Sequence, residues 1–315
     1  MTSKPSSSQS SAPNYSADVI SDETLLRGCR LDLGASGRAE KTQSIYCEST
    51  TQLSQFAESL GFPGLARMNR DHIRHWLASL HKKGNKPGAV HVRYRSVNRF
   101  FKWAVKEGER EDNPMDDIDP PKLPQTIQPY YLPSEVEAVI KAIGRTDTQA
   151  LRDRAVVLTM YDSGARASEV CGMRCEDIDW KELSILVTGK AGKQRRVGIS
   201  SKSAQAIERY LRRRGSNSDW LWLTTGNRGP FTTNGLRMML QRHFKDAGVK
   251  FRGAHAFRRG FAMEYLAAGG QEHELKELGG WSSYQMVTRY SRGNAGERAI
   301  KAHKKFSPAD RLNVR

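Results

Sequence analysis

The residues in this chain best suited to chemistry are a scattered set of cations and two tyrosines. Tyr284 and Tyr290 share the segment Leu278-Gly-Gly-Trp-Ser-Ser-Tyr-Gln-Met-Val-Thr-Arg-Tyr290, a short helical stretch opened by a Gly-Gly break and a cap at Ser282 or Ser283. A tyrosine near a helix end is ordinarily a packing or hydrogen-bonding residue, so its chemistry depends on what is gathered beside it. Upstream, Arg166 follows a Gly-Ala turn at a helix start, Lys190 occupies a predicted hairpin tip, and His255 and Arg258 open a further helix. A spacing of three puts two side chains on one helix face, so His255 and Arg258 can address one ligand. Singly they read as a surface arginine, a turn lysine and a helix cap. As a set they have the donors to hold a phosphate and the groups to move protons around it.

Charge points to the same ligand. The chain of 315 residues carries 51 Lys and Arg against 34 Asp and Glu, a formal net charge of +17. Such an excess favours a polyanionic partner, with nucleic acid ahead of a membrane surface. No long apolar span and no basic-then-apolar signal segment is present, so a soluble, cytoplasmic, nucleoid-associated protein is expected. Cys29, Cys47, Cys171 and Cys175 are too few for a disulfide framework and lack a second pair for zinc. With no His-Glu-x-x-His, phosphate loop or dinucleotide fingerprint, neither a metal nor a cofactor is expected.

The elements that must position these residues fall in two groups. Residues 1 to 36 read as a disordered or weakly structured tail, Ser-rich to about 20, with at most a turn or short helix over 21 to 36. Residues 37–112 read as a small all-helical domain. Its first helix runs Arg38 to Leu60, with Ile45, Leu53, Phe56 and Leu60 on one face, and its second from Asn69 or Asp71 to Leu80. In the third, Val90, Tyr94, Val97, Phe101 and Ala104 form a narrow apolar stripe, while Arg95, Arg99, Lys102 and Lys106 keep the same stepping on the other side. From His81 to Lys106 there are eight Lys or Arg residues and no acid, which favours contact with a phosphate backbone over an ordinary solvated face.

Residues 113–132 read as a linker, since Asn113 to Pro133 holds six of the twelve prolines. The second domain, 133–315, is predicted to be mostly helical. Helices are expected at about 134–144, 148–162, 201–213, 232–247, 255–268, 271–278 and 283–291, with a hairpin joining Ser184–Val187 to Arg196–Ile199. A tail helix from Ala295 to Phe306 would present Ala299, Ile300 and Phe306.

Four stretches in this order carry a resemblance. Ser163-Gly-Ala-Arg166-Ala-Ser-Glu169-Val170, Gly189-Lys190-Ala-Gly-Lys193-Gln-Arg195-Arg196-Val, His255-Ala-Phe-Arg258-Arg-Gly and Leu278-Gly-Gly-Trp281 through Tyr290 resemble the motifs of the tyrosine recombinase, or phage integrase, family. Each motif alone is degenerate; four in family order across about 125 residues are specific. The resemblance implies a mainly α fold: a small helical core-binding (SAM-like) domain and a mostly helical catalytic domain with a small antiparallel sheet.

It also implies site-specific cleavage and rejoining of DNA strands through a covalent 3′-phosphotyrosine, in integration, excision or resolution of a mobile element or replicon. Tyr290 is the implied nucleophile, selected over Tyr284 by its nine-residue spacing from Trp281. Arg166 and Arg258 would fork onto the nonbridging oxygens, Lys190 would protonate the leaving 5′ oxygen, and His255 would act as acid, base or phosphate donor. Glu169 would orient the site. Lys193, the rival lysine of the hairpin, would touch backbone phosphate. Trp281 stands where many members carry histidine; an indole N–H can donate one hydrogen bond but cannot transfer a proton. Implied partners are double-stranded DNA, three further copies in a homotetramer on two paired sites, and accessory DNA-bending or directionality proteins. A type IB topoisomerase shares the chemistry, and a DNA-binding relative with a dead site is the reading from another class.

Overall fold

The computed structural model describes residues 20–124, 128–189, 192–227 and 229–291, together with 296, 299, 300, 303, 304 and 307–312. It divides into two compact units, Met1–Gln125 and Thr126–Arg315.

The first unit is four helices: α1 (Asp22–Ala35), α2 (Glu40–Ser59), α3 (Arg70–Lys82) and α4 (Pro87–Lys106). Three of them, α1, α3 and α4, begin where local chemistry satisfies free backbone N–H groups or pre-sets the turn. Ser21 accepts from Thr24 N, Asn69 accepts from Asp71 N and His72 N, and Pro87 supplies the first residue of α4. The expected stripe of α4 is the centre of the core: Val90, Tyr94, Val97, Phe101 and Ala104 are all buried, with Phe100 and Trp103 widening it.

The segment 21–36 departs from the expectation of a weakly structured tail. It is a helix of 14 residues whose Leu25, Cys29 and Leu33 are buried in that core. The signal was sparse because the apolar residues step by four alone and are interrupted by Gly28 and Gly34. Gly28 allows close packing there: a Cβ would lie 3.0 Å from the Trp103 ring. Polar ties also hold the helix start, since Asp22 accepts from Leu65 N at 2.8 Å and from the Ser54 hydroxyl at 2.5 Å. Residues 1–19 lie outside the described residues.

Two further expectations shift. On α2 the inward face is Ser49, Thr50, Leu53 and Ala57, with Phe56 at its edge, whereas Ile45 and Leu60 are exposed. Small residues let α1 and α4 approach closely, and Ser49 and Thr50 return their hydroxyls to Ile45 O and Tyr46 O. The linker is narrower than 113–132. Met115 and Ile118 are buried in the first core, where Tyr94 donates to Ile118 O at 2.5 Å, and Tyr131 is buried in the core of the second unit.

The second unit contains α5 (Pro133–Ala142), α6 (Thr148–Ser163), α7 (Ala167–Cys171), a sheet of β1 (Ile178–Asp179), β2 (Ser184–Thr188) and β3 (Gln194–Gly198), then α8 (Ser201–Arg214), α9 (Thr233–Asp246), α10 (His255–Ala267), α11 (Glu272–Gly279) and α12 (Tyr284–Ser291). The strands pair antiparallel in order β1-β2-β3, with Ile185 opposite Val197 and Val187 opposite Arg195. The expected helices and hairpin are all present, their ends moved by one or two residues. The larger core gathers Tyr131, Tyr210, Trp222, Phe244 and Phe257, and buried Asp153 bonds to Arg152, Arg242 and His243. A smaller cluster of Ala262, Leu266, Leu275, Trp281 and Val287 binds α10, α11 and α12 together. In the expected tail helix, residues 299, 300, 303 and 304 are helical and Ile300 is 64% exposed, while Phe306 lies outside the described residues. Among the described residues no helix is long and apolar enough to cross a membrane.

The burial of α1 in the first core has a measurable consequence. Leu33→Ala should destabilise the first unit by about 2–5 kcal/mol, seen as an earlier urea transition in the fluorescence of Trp76 and Trp103; an unchanged midpoint would return the segment to the tail.

Candidate active site

The site begins where α6 ends. Gly164 takes a left-handed conformation (φ 60°), and a Cβ there would lie 2.3 Å from the Phe261 ring, so the turn requires glycine. This turn delivers Arg166 to the start of α7. Glu169, one turn on, reaches back to Arg166 N at 2.7 Å and also accepts from Arg166 Nη1 at 2.7 Å. Its side chain has no solvent exposure. Burial alone pushes the Glu169 carboxyl up, but hydrogen bonds from Arg195 and Arg166 outweigh it and hold it down at about 2.

Arg195 supplies the other half of that clamp. Its Nη1 and Nη2 each donate to one Glu169 oxygen at 2.8 Å, and its Nε donates to Leu278 O at 2.9 Å. It is the residue whose role the motif reading missed. The available signal was the period of two along β3: Arg195 shares the inward face with Val197, while Gln194, Arg196 and Gly198 are exposed. A charged residue at an inward strand position needs a partner, and Glu169 is that partner.

Arg258 lies one turn into α10 and is 1% exposed. Nη1 donates to Gly164 O at 2.8 Å and Nη2 to Gly279 O, while Nε is buried without a hydrogen-bond partner. Burial lowers this guanidinium to about 10, and the like charges of Arg166 and Arg195 add to the effect. Beneath it lies Trp281, with the Arg258 carbon 4.3 Å from the indole centroid. Trp281 is itself buried and packs on Tyr290 at 5.4 Å between ring centroids. Gly279 makes room for the indole, since a Cβ at that position would fall 2.0 Å from the ring. Three guanidiniums therefore face one carboxylate, and the site carries unneutralised positive charge beside a phenol.

The two tyrosines are separated by their surroundings. Tyr290 is half-buried against Trp281 in the small cluster; Tyr284 is 53% exposed, with Lys276 Nζ 5.5 Å from its ring. His255 is exposed at the first position of α10. Partial desolvation, then Arg259, Arg258 and Arg166, push its pKa down, which favours neutral imidazole near pH 7. Lys190 lies outside the described residues. At the base of its loop Gly189 N donates to Lys193 O at 2.7 Å, and Lys193 is exposed.

The expected cationic ridge of α4 loses one member. Arg95, Lys102 and Lys106 are exposed, but Arg99 Nη2 lies 2.6 Å from Asp32 Oδ2 in a half-buried ion pair. The partner comes from α1, the helix that the sequence signal left weak.

The chain is similar to known proteins over most of its length. The phage integrase family model matches residues 130–297, and the phage integrase N-terminal SAM-like domain matches residues 33–108. Tyrosine recombinase XerA of Pyrococcus furiosus is 30% identical over 268 residues, 84% of this chain and 87% of its own. Tyrosine recombinase XerC of Myxococcus xanthus is 31% identical over 229 residues, 70% of this chain and 76% of its own. Among solved structures, the Tn1549 transposon integrase in complex with transposon right end DNA shares the fold at a TM-score of 0.73 and 18% identity, covering 91% of this chain and 100% of that one. The XerH site-specific recombinase bound to its palindromic difH substrate does so at 0.72 and 17%, covering 90% and 84%. With the phage integrase family model matched over more than half its length, the chain belongs to that family, the tyrosine recombinases.

Proposed function

We propose that this tyrosine-type site-specific DNA recombinase cuts and rejoins duplex DNA through a covalent link between Tyr290 and a 3′ phosphate. One observation carries the assignment of the nucleophile: Arg258, buried with an unpartnered Nε, is stacked on the indole that packs against Tyr290. A buried N–H without an acceptor is costly, and a phosphate oxygen would relieve that cost while offsetting the repulsion between Arg258, Arg166 and Arg195.

In the proposed step Arg166 and Arg258 hold the nonbridging oxygens, and their charge meets the negative charge that builds at phosphorus. The phenolic oxygen of Tyr290 bonds to phosphorus as the bond to the 5′ oxygen breaks. The phenolic proton passes to neutral His255, and Lys190 gives a proton to the departing 5′ oxygen. Trp281 supports Arg258 and Tyr290 without transferring a proton. Attack by the 5′ hydroxyl of another strand reverses the step and completes exchange. Arg95, Lys102 and Lys106 serve as backbone contacts, with Lys193 as a further one on the hairpin; Arg99 is left out because Asp32 already engages it. A homotetramer on two paired sites, with accessory proteins setting direction, is the assembly that strand exchange between duplexes requires.

On a nicked suicide substrate Tyr290→Phe should abolish covalent capture while leaving DNA affinity intact, and Tyr284→Phe should capture normally; continued capture by Tyr290→Phe would sink the assignment. Arg258→Lys should slow capture by about 10²–10³-fold, because one ammonium cannot replace a planar fork in a desolvated site. The rate of capture should fall only below the ordinary imidazole range, since the folded pKa of His255 is depressed, and His255→Asn should remove that acidic limb from the pH profile.

A further inference from the structure

The turn that leads from α11 into the nucleophile's helix is held by arginines from two other elements. Leu278 O accepts from Arg195 Nε at 2.9 Å, and the next carbonyl, Gly279 O, accepts from Arg258 Nη2. The other end of Arg258 reaches Gly164 O, two residues before Arg166, at 2.8 Å. Arg166 and Arg195 meet through the two oxygens of Glu169. These contacts close a ring that passes through α7, β3, α11 and α10. Gly280 seals it: in a left-handed conformation (φ 59°), it has Arg195 Cδ 2.8 Å from where a Cβ would stand. The next residue is Trp281, on which Tyr290 packs.

Arg195 spends all three of its nitrogens inside the protein, on Glu169 and Leu278 O, and its side chain is 14% exposed. It therefore has no need to touch DNA to affect the reaction. Glu169 is likewise fully buried and already committed to Arg166. We propose that Arg195 is a positioning residue for the nucleophile, fixing the Leu278–Trp281 turn, and through Trp281 the ring of Tyr290, at a set distance from Arg166. The inference rests on the reading of Tyr290 as the nucleophile. Without this joint α12 is held to the phosphate-binding arginines through Arg258 and apolar packing, and an error of about 1 Å in the attacking oxygen costs on the order of 10²-fold in rate.

The test uses the full-length protein and two suicide substrates, one with ordinary DNA and one with sulfur in place of the bridging 5′ oxygen. Sulfur leaves as a thiolate when the bond to phosphorus breaks and needs no proton donor, so it repairs a defect at the leaving group and not one at the nucleophile. Arg195→Lys and Arg195→Gln should slow covalent capture by about 10–10²-fold on both substrates, with DNA affinity unchanged. Glu169→Gln combined with Arg195→Gln should cost no more than the worse of the two alone, because both break one joint. Restoration of the Arg195 variants by sulfur would overturn the proposal by placing the residue on the leaving-group side. Unchanged rates, or costs that multiply independently, would overturn it as well. Arg195→Lys keeps the buried charge, so it carries the test if the Gln variant fails to fold. Capture of either substrate by Tyr290→Phe would instead overturn the nucleophile assignment, whatever Arg195 does.

Discussion

Glu169 carries a charge where charge is costly, and it can do so only because two guanidiniums donate to it. With no solvent exposure its carboxyl would rise toward neutrality, yet the bonds from Arg195 and Arg166 hold it at about 2. The same bonds determine where the two arginines can be. Arg166 is tied to Glu169 at the start of α7, and Arg195 is drawn inward to reach the end of α11. Removing the carboxylate would leave Arg166 and Arg195 without their shared acceptor while the repulsion among Arg166, Arg195 and Arg258 remained.

Around this pair the fold supplies position more than chemistry. Tight turns at Gly164 and Gly280 bring backbone carbonyls to the arginines, and a side chain at either would strike Phe261 or Arg195. Trp281 joins the two halves of the site, with Arg258 on one side and Tyr290 packed against it. An indole at that position cannot transfer a proton, but it gives rigidity and a cation–π contact.

Most of this layout was legible in the sequence because its signals are local. The stripe of α4, the breaks at Gly164 and Gly280 and the hairpin between β2 and β3 all follow from periods and turn residues that a few positions reveal. What was missed depends on contacts distant in sequence. The apolar residues of α1 are too sparse to announce a helix, yet they fill the space beside Trp103. Asp32 on that helix then takes Arg99 out of the free ridge. Arg195 stands in plain view two residues after Lys193, but its value comes from Glu169, 26 positions earlier, and from Leu278, 83 positions later. Ile45 and Leu60 match the helical period of α2 and still face outward, because small residues at Ser49, Thr50 and Ala57 allow closer packing there.

Which tyrosine becomes joined to DNA can be read directly from the tryptic peptides of the chain. Trypsin cleaves after Lys276, Arg289 and Arg292, so Tyr284 falls in the peptide Glu277–Arg289 and Tyr290 in the tripeptide Tyr290-Ser-Arg. After capture on a suicide substrate and digestion of protein and DNA, mass spectrometry should find the nucleotide on Tyr290-Ser-Arg. A nucleotide on the peptide containing Tyr284, or on any other peptide, would contradict the account.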